Sequence, residues 1–308
     1  MKPGRIQAYV SWLLKASALA LSAAVPVRAH TVAEHDPTRL SDWAIDPLSA
    51  VVLLLLAGVY VCGARRLAQR RRHRGEYARR TFYFWCAWAA LAIAFVPPLE
   101  PLTSVSFAAH MVQHEMIMLI AAPLLVLARP PGVLFWGLPS GAARIFAWLA
   151  RTRVMRTAIV WLCAPLAAGV LHFVVLWAWH MPAAFEASLA SDAVHWLQHL
   201  TFFIAAYLFW YSVLAAGRRE ERRGMALISL LATTIHTGIL GALLTFSPSV
   251  WYASYRVSAQ LRGFTPLEDQ QLGGLVMWVP GGAVFLVAAV AVLARWLAEH
   301  DPPRMRET

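Results

Sequence analysis

The segments His110-Met111-Val112-Gln113-His114 and His195-Trp196-Leu197-Gln198-His199 repeat one pattern, in which histidines four apart enclose a glutamine. Residues at that spacing share a helix face, so both rings of a pair can aim at one point. Each pair can chelate a transition ion from a single helix, and two facing pairs can build an all-imidazole site. His172 and His236 stand on the hydrophobic segments that follow each pair and can complete or relay such a site. The candidate metal ligands are therefore His110, His114, His172, His195, His199 and His236. Imidazole suits Cu, Zn, Fe and Ni, and thioethers select the cuprous ion. Met118 continues the His110–His114 stripe by one turn, which favours Cu(I) over Cu(II). Met111 and Met116 read as adaptable packing residues.

The elements that must hold these rings follow from composition. The 308 residues are 59% hydrophobic and 14% charged, against roughly 45–50% apolar and about 25% charged in soluble domains. That excludes a soluble enzyme. Apolar runs near 47–64, 81–97, 104–128, 157–179, 195–215, 225–246 and 272–294 predict an all-α, polytopic membrane bundle of seven helices, because about 20 apolar residues cross the ~30 Å hydrocarbon layer. Residues 1–29 read as a signal peptide, or a retained first helix, with basic Lys2, Arg5 and Lys15, an apolar stretch and Ala29 at the cleavage position. Residues 30–46 then form a short periplasmic segment, 47–295 the transmembrane domain and 296–308 a cytoplasmic tail.

The net charge of +11 acts as an orientation signal rather than a nucleic-acid footprint. Removal of the signal leaves 23 basic against 16 acidic residues. Of those 23, the segments 65–80, 129–156, 217–224 and the tail from Arg295 hold 20, and the alternate segments hold Arg39, Arg256 and Arg262. Basic loops stay in the cytoplasm, so the mature N-terminus is expected outside and the C-terminus inside. Some of these residues can also meet anionic lipid. On that topology the six histidines occupy four helices within about 15 Å of the outer surface at ~1.5 Å per residue. Ionisable groups at that depth are costly and mark function.

Other residues take supporting places. His180 falls at the exit of the fourth span, and Glu115 is rotated off the histidine stripe, either as a support for the ligands or as a carboxyl in a wet crevice. Gln113 and Gln198 suit hydrogen bonds to ligands or between helices. Asp269, Gln270 and Gln271 read as a solvated loop that can also guide a cation inward. Cys62, Cys86 and Cys163 lie in the cytoplasmic half, away from the histidines, and read as inert packing residues. Trp177, Trp179, Trp196, Trp251 and Trp278 suit an outer aromatic belt. A cut after Ala29 would expose the His30 amine and imidazole, a pair able to chelate Cu(II).

Three stretches carry a resemblance: His110-Met-Val-Gln-His-Glu-Met-Ile-Met-Leu-Ile-Ala-Ala-Pro-Leu, Trp196-Leu-Gln-His-Leu-Thr-Phe-Phe, and Asp269-Gln-Gln-Leu-Gly-Gly-Leu-Val-Met-Trp-Val-Pro-Gly-Gly. Together they resemble the polytopic CtaG-type cytochrome c oxidase assembly family from about Trp43 to Arg295. The resemblance implies a bacterial inner-membrane protein that matures a haem–copper oxidase by handling copper and turns over no substrate. Its expected partners are oxidase subunits or a periplasmic copper carrier, within the lipid bilayer and without nucleic acid. A single-span family of the same name lacks this pattern, so its copper cysteines are not carried over. The rival readings are a haem-binding membrane protein, a copper or proton transporter, and a scaffold whose polar residues only hold helices together. A phosphatase reporter that matures only in the periplasm tests the orientation. It should be active when inserted in 180–194 and inactive in 217–224, and the reverse result refutes the charge argument.

Overall fold

The computed structural model describes residues 45–68, 74–214, 220–258 and 263–300. The signal peptide, His30, nearly all of the 30–46 segment and the last residues of the tail lie outside the described residues. In chain order the helices are α1 (Pro47–Ala68), α2 (Arg74–Phe95), α3 (Leu99–Thr103), α4 (Phe107–Ala128), α5 (Pro131–Gly137), α6 (Ser140–Arg151) and α7 (Arg153–Leu162). They continue as α8 (Pro165–His180), α9 (Pro182–Ala190), α10 (Asp192–Leu214), α11 (Glu220–Thr245), α12 (Tyr255–Ser258) and α13 (Pro266–His300). The described residues contain no strand, and the all-α bundle is that of a multi-pass membrane protein.

Among the described residues five helices, α1, α4, α10, α11 and α13, are long and apolar enough to cross a membrane, and α7 with α8 makes six if that bent pair counts as one span. The expected count of seven is thus not confirmed among the described residues. The run 81–97 falls in α2, whose first turns carry Arg74, Glu76, Arg79 and Arg80 and leave a short apolar stretch. The run 157–179 is not a straight helix either, because α7 and α8 meet at 80°. Pro165 has no N–H to continue the ladder and opens α8 instead. Helices α6 and α7 bury no residue, and Val154 and Trp161 are 80% and 70% exposed. Exposed apolar side chains outside and buried histidine, glutamine, serine and threonine inside are the pattern that lipid solvent demands.

Two features set how closely the site-bearing helices approach. Within α4, residues Met116–Ala121 wind as a π-helix. The wider turn spoils the regular carbonyl ladder, and the Trp210 indole of α10 donates to the Met118 carbonyl at 2.9 Å. The bulge is therefore locked by a neighbouring span. Helices α11 and α13 touch backbone to backbone at Gly241 and Gly274. A Cβ at Gly274 would lie 2.6 Å from the Thr245 nitrogen and 2.8 Å from the Gly241 oxygen. Small residues permit such close crossings in membranes. At the far end of the same pair, Arg223 binds Glu299 at 2.7 Å.

The apolar core lies in two clusters. One joins Met111, Phe202, Phe209, Trp210, Leu240 and Phe285 across α4, α10, α11 and α13. The other packs α1 and α2 against the C-terminal half of α4 through Tyr60, Phe84, Ala121 and Leu125. Gly274→Ala should force α11 and α13 apart and cost about 1–3 kcal/mol, read as a lower Tm in detergent. Gly282→Ala, where a Cβ meets nothing within 4 Å, should leave Tm unchanged.

Candidate metal centre

The helix that carries the first histidine pair is started by another span. Asp269, in the first turn of α13, accepts from the Phe107 nitrogen at 2.7 Å and the Ser106 hydroxyl at 2.7 Å. Ser106 in turn accepts from the Ala109 nitrogen at 3.2 Å. A carboxylate on the free N–H groups of a helix start satisfies its donors and its dipole. Asp269 is 4% exposed, so it is a buried cap and not a residue of a solvated loop. Gln270 accepts from the Trp251 nitrogen at 2.6 Å and Gln271 donates to the Ser247 carbonyl at 3.2 Å, which fastens the α11–α13 connection over the site.

So anchored, α4 presents His110 and His114 one turn apart with ring centroids 4.4 Å from each other. Helix α10 presents His195 and His199 in the same way at 4.3 Å. The two pairs face each other, with His110 5.1 Å from His195 and His114 5.3 Å from His199. One ring nitrogen from each of His110, His195 and His199 lies within 4.8 Å of the others. Tetrahedral ligands at ~2.0–2.1 Å sit about 3.4 Å apart, so a small closure of the rings would seat an ion. His114 adjoins this trio, and the C-terminal residue of α8, His180, stands 6.3 Å from His114.

The hydrogen bonds assign tautomers. Tyr255 donates its phenol proton to the Thr103 carbonyl at 2.8 Å, so its oxygen accepts from Nδ1–H of His110 at 2.9 Å. His110 Nε2 then carries the lone pair. In the same way His180 donates from Nδ1 to the Leu176 carbonyl at 2.7 Å, leaving Nε2 as acceptor. Nε2 of His110, His180 and His199, both nitrogens of His114 and both amide atoms of Gln198 are buried without a hydrogen-bond partner. Such atoms cost free energy unless a ligand or water completes them. Gln113 instead ties α4 to α2, donating to the Ala94 carbonyl at 2.8 Å.

His110, His114 and His199 are buried, whereas His195 is partly exposed. Phe107, Phe185 and Tyr252 stack over the buried rings, with Phe185 4.2 Å from Tyr252 and 5.1 Å from His110. Beyond the spans, Glu100 of α3 lies near Asp46 and near Asp192, one turn before His195. Burial first, then those two negative charges, raises its carboxyl from 4.5 to about 7.

His172 and His236 form a second pair, 5.7 Å apart and packed against Phe209, Phe285 and Phe173. His172 lies eight residues, or about 12 Å of helix, below His180. Glu115 and Met118 point into this inner region and line a cavity with His172. The three cysteines are free and half-buried. Tyr255 and His180 are the residues that sequence reasoning missed as site members. Tyr255 had no spacing relation to any histidine, whereas His180 was visible as a polar residue closing an apolar run.

These features define a class, a multi-pass membrane protein with a buried imidazole cluster at one end of its bundle. Residues 58–299 match the family described as cytochrome c oxidase caa3 assembly factor (Caa3_CtaG), and the chain belongs to that family. It is similar to the uncharacterized proteins Mb0105 of Mycobacterium bovis and MT0111 of Mycobacterium tuberculosis, each 25% identical over 279 residues, or 87% of this chain and 41% of theirs. The chain thus spans about two-fifths of the length of these curated relatives. No solved structure matches it.

The raised Glu100 carboxyl has a measurable consequence. Between pH 4.5 and about 7 the folded chain retains a proton that the unfolded chain releases, so this group lowers stability as pH rises through that window. Glu100→Gln should raise Tm by several degrees at pH 8 and by much less at pH 5. An equal effect at both pH values would refute the assignment.

Proposed function

We propose that this chain binds Cu(I) from the outer side of the membrane and hands it to a haem–copper oxidase during assembly. The description of its family, cytochrome c oxidase caa3 assembly factor, supports the assembly role, and the copper step is our own reading of the site. The observation that carries it is the convergence of His110, His195 and His199 nitrogens within 4.8 Å, with orphaned nitrogens of His110, His114 and His199 beside them. His195, the half-buried member, receives the ion. His110 and His199 complete a neutral three-imidazole set, and His114 and His180 offer alternative nitrogens through which ligand exchange proceeds. Tyr255 acts on His110 from behind, holding its ring and tautomer, as outer partners do for metal-bound histidines.

Direct packing favours an ion over haem. The imidazoles touch one another and also Phe95, Phe185 and Phe202, at centroid distances of 4.7–5.2 Å. That fills the slot which a porphyrin between two axial histidines would need. Release back to the outer side is favoured over passage through the membrane, because Phe209, Trp210 and Phe285 close the bundle below His172, with Trp210 stacked on Phe285 at 5.6 Å. The partners in this reading are an oxidase subunit or a periplasmic copper carrier, and the role is binding and delivery without substrate turnover. The concentration of basic residues in alternate connecting segments supports a periplasmic site and a cytoplasmic C-terminus in this reading.

Loss of a supporting group around a metal costs roughly 10–100-fold in affinity, and loss of a ligand should cost more. His199→Ala should therefore weaken Cu(I) binding beyond that range in an anaerobic competition with a chromophoric chelator, and should lower the copper content of the oxidase in cells. If His110→Ala combined with His199→Ala leaves both unchanged, the copper reading is wrong.

A further inference from the structure

Below the outer histidines the bundle holds a second set of unsatisfied polar atoms. Glu115 Oε2 is buried without a hydrogen-bond partner, as are Nδ1 of His172 and both nitrogens of His236. His172 itself is 2% exposed. Glu115, His172, Met118 and Met277 line one small cavity between α4, α8 and α13, and both methionines are 5% exposed. The backbone makes room for the carboxyl. Oε2 of Glu115 lies where a Cβ on Gly281 would come within 3.3 Å, so glycine keeps that wall open.

A π-helical turn of α4 borders this cavity. It begins at Met116, immediately after the last ligand of the outer cluster and its neighbour Glu115. Met118 lies one turn, about 6 Å of helix, beyond His114. It lines the cavity with His172. His114 and Glu115, adjacent in sequence, thus serve two different chambers.

The donor chemistry is selective. Two thioethers and an imidazole favour a soft, low-valent ion. One carboxylate in a medium of low dielectric is neutralised by a single positive charge, and a divalent ion would leave net charge buried. We propose that Glu115, Met118, His172 and Met277 form an inner site for one Cu(I) ion, with His236 beside His172 as an alternative imidazole. This site rests on its own donors and does not depend on the outer imidazole set. Its position, about 12 Å of helix below His180, makes it a holding station that the ion reaches past His114.

The test loads the purified full chain in nanodiscs with Cu(I) under anaerobic conditions, counts bound ions by chelator competition and reads neighbours by X-ray absorption. Wild type should bind two ions and show sulfur scattering. Met118→Leu with Met277→Leu, a volume-conserving change that costs little stability, should bind one ion with nitrogen neighbours only. His110→Ala with His199→Ala should keep one ion with sulfur neighbours. Gly281→Val, which places side-chain atoms against the Glu115 carboxyl, should also reduce the count from two to one. A wild-type spectrum without sulfur scattering, or an unchanged count in the double methionine variant, overturns the inner site. If the double histidine variant keeps both ions while the methionine variant loses one, the outer reading fails and the inner one stands.

Discussion

An imidazole buried between apolar helices has two nitrogens to satisfy, and this protein gathers several imidazoles where few donors or acceptors exist. Several hydrogen bonds around the histidine cluster answer that constraint. The Thr103 carbonyl and the Tyr255 phenol take care of one side of His110, and the Leu176 carbonyl takes care of one side of His180. Each such bond leaves the opposite nitrogen with a lone pair turned inward. In water these lone pairs would be hydrated at no cost. Here they face one another, and only a cation or an ordered water can complete them.

Such a cluster needs a scaffold that cannot relax away from it. Asp269 begins α4 from a different span, so the position of His110 is tied to α13 rather than to its own loop. Helix α13 is in turn held on α11 by backbone contact at Gly241 and Gly274. The Trp210 indole pins the π-helical segment of α4 from α10, the helix that carries His195 and His199. The two histidine pairs are therefore linked both across their faces and through this hydrogen bond, and a displacement of either helix is felt by the other. Arg223 and Glu299 close the opposite end of the same frame.

Much of this was legible in the residues. The H-x-x-Q-H repeat, read as two helical pairs, located the four rings that meet, and the apolar runs identified the helices that bring them together. Legibility failed where a residue's role depends on a distant partner. Asp269 looked like part of a solvated loop, because nothing near it in sequence shows the open N-terminus of α4 that it caps. Pro165 lay within an apolar run and yet marks an 80° break. Met118 continued the histidine stripe on helical spacing, and at its greater depth it lines a separate cavity with His172. His172 and His236 shared a depth with the other histidines on a linear count, whereas in the bundle they pair with each other.

The sequence by itself determined that this chain lives in a membrane, that its spans are helical, and that histidines are placed in pairs on shared faces. Those properties are local or additive, since hydrophobic transfer sums along a run and a helix repeats every few residues. Membership of the oxidase assembly family followed from motifs of the same local kind. Only the tertiary structure decided which pairs face each other, which nitrogens carry lone pairs and where the polar interior divides into two chambers. Those depend on helix crossings and hydrogen bonds over more than 140 positions, such as that from His110 to Tyr255. Contacts of that range are set by three-dimensional packing, which no spacing rule along the chain encodes.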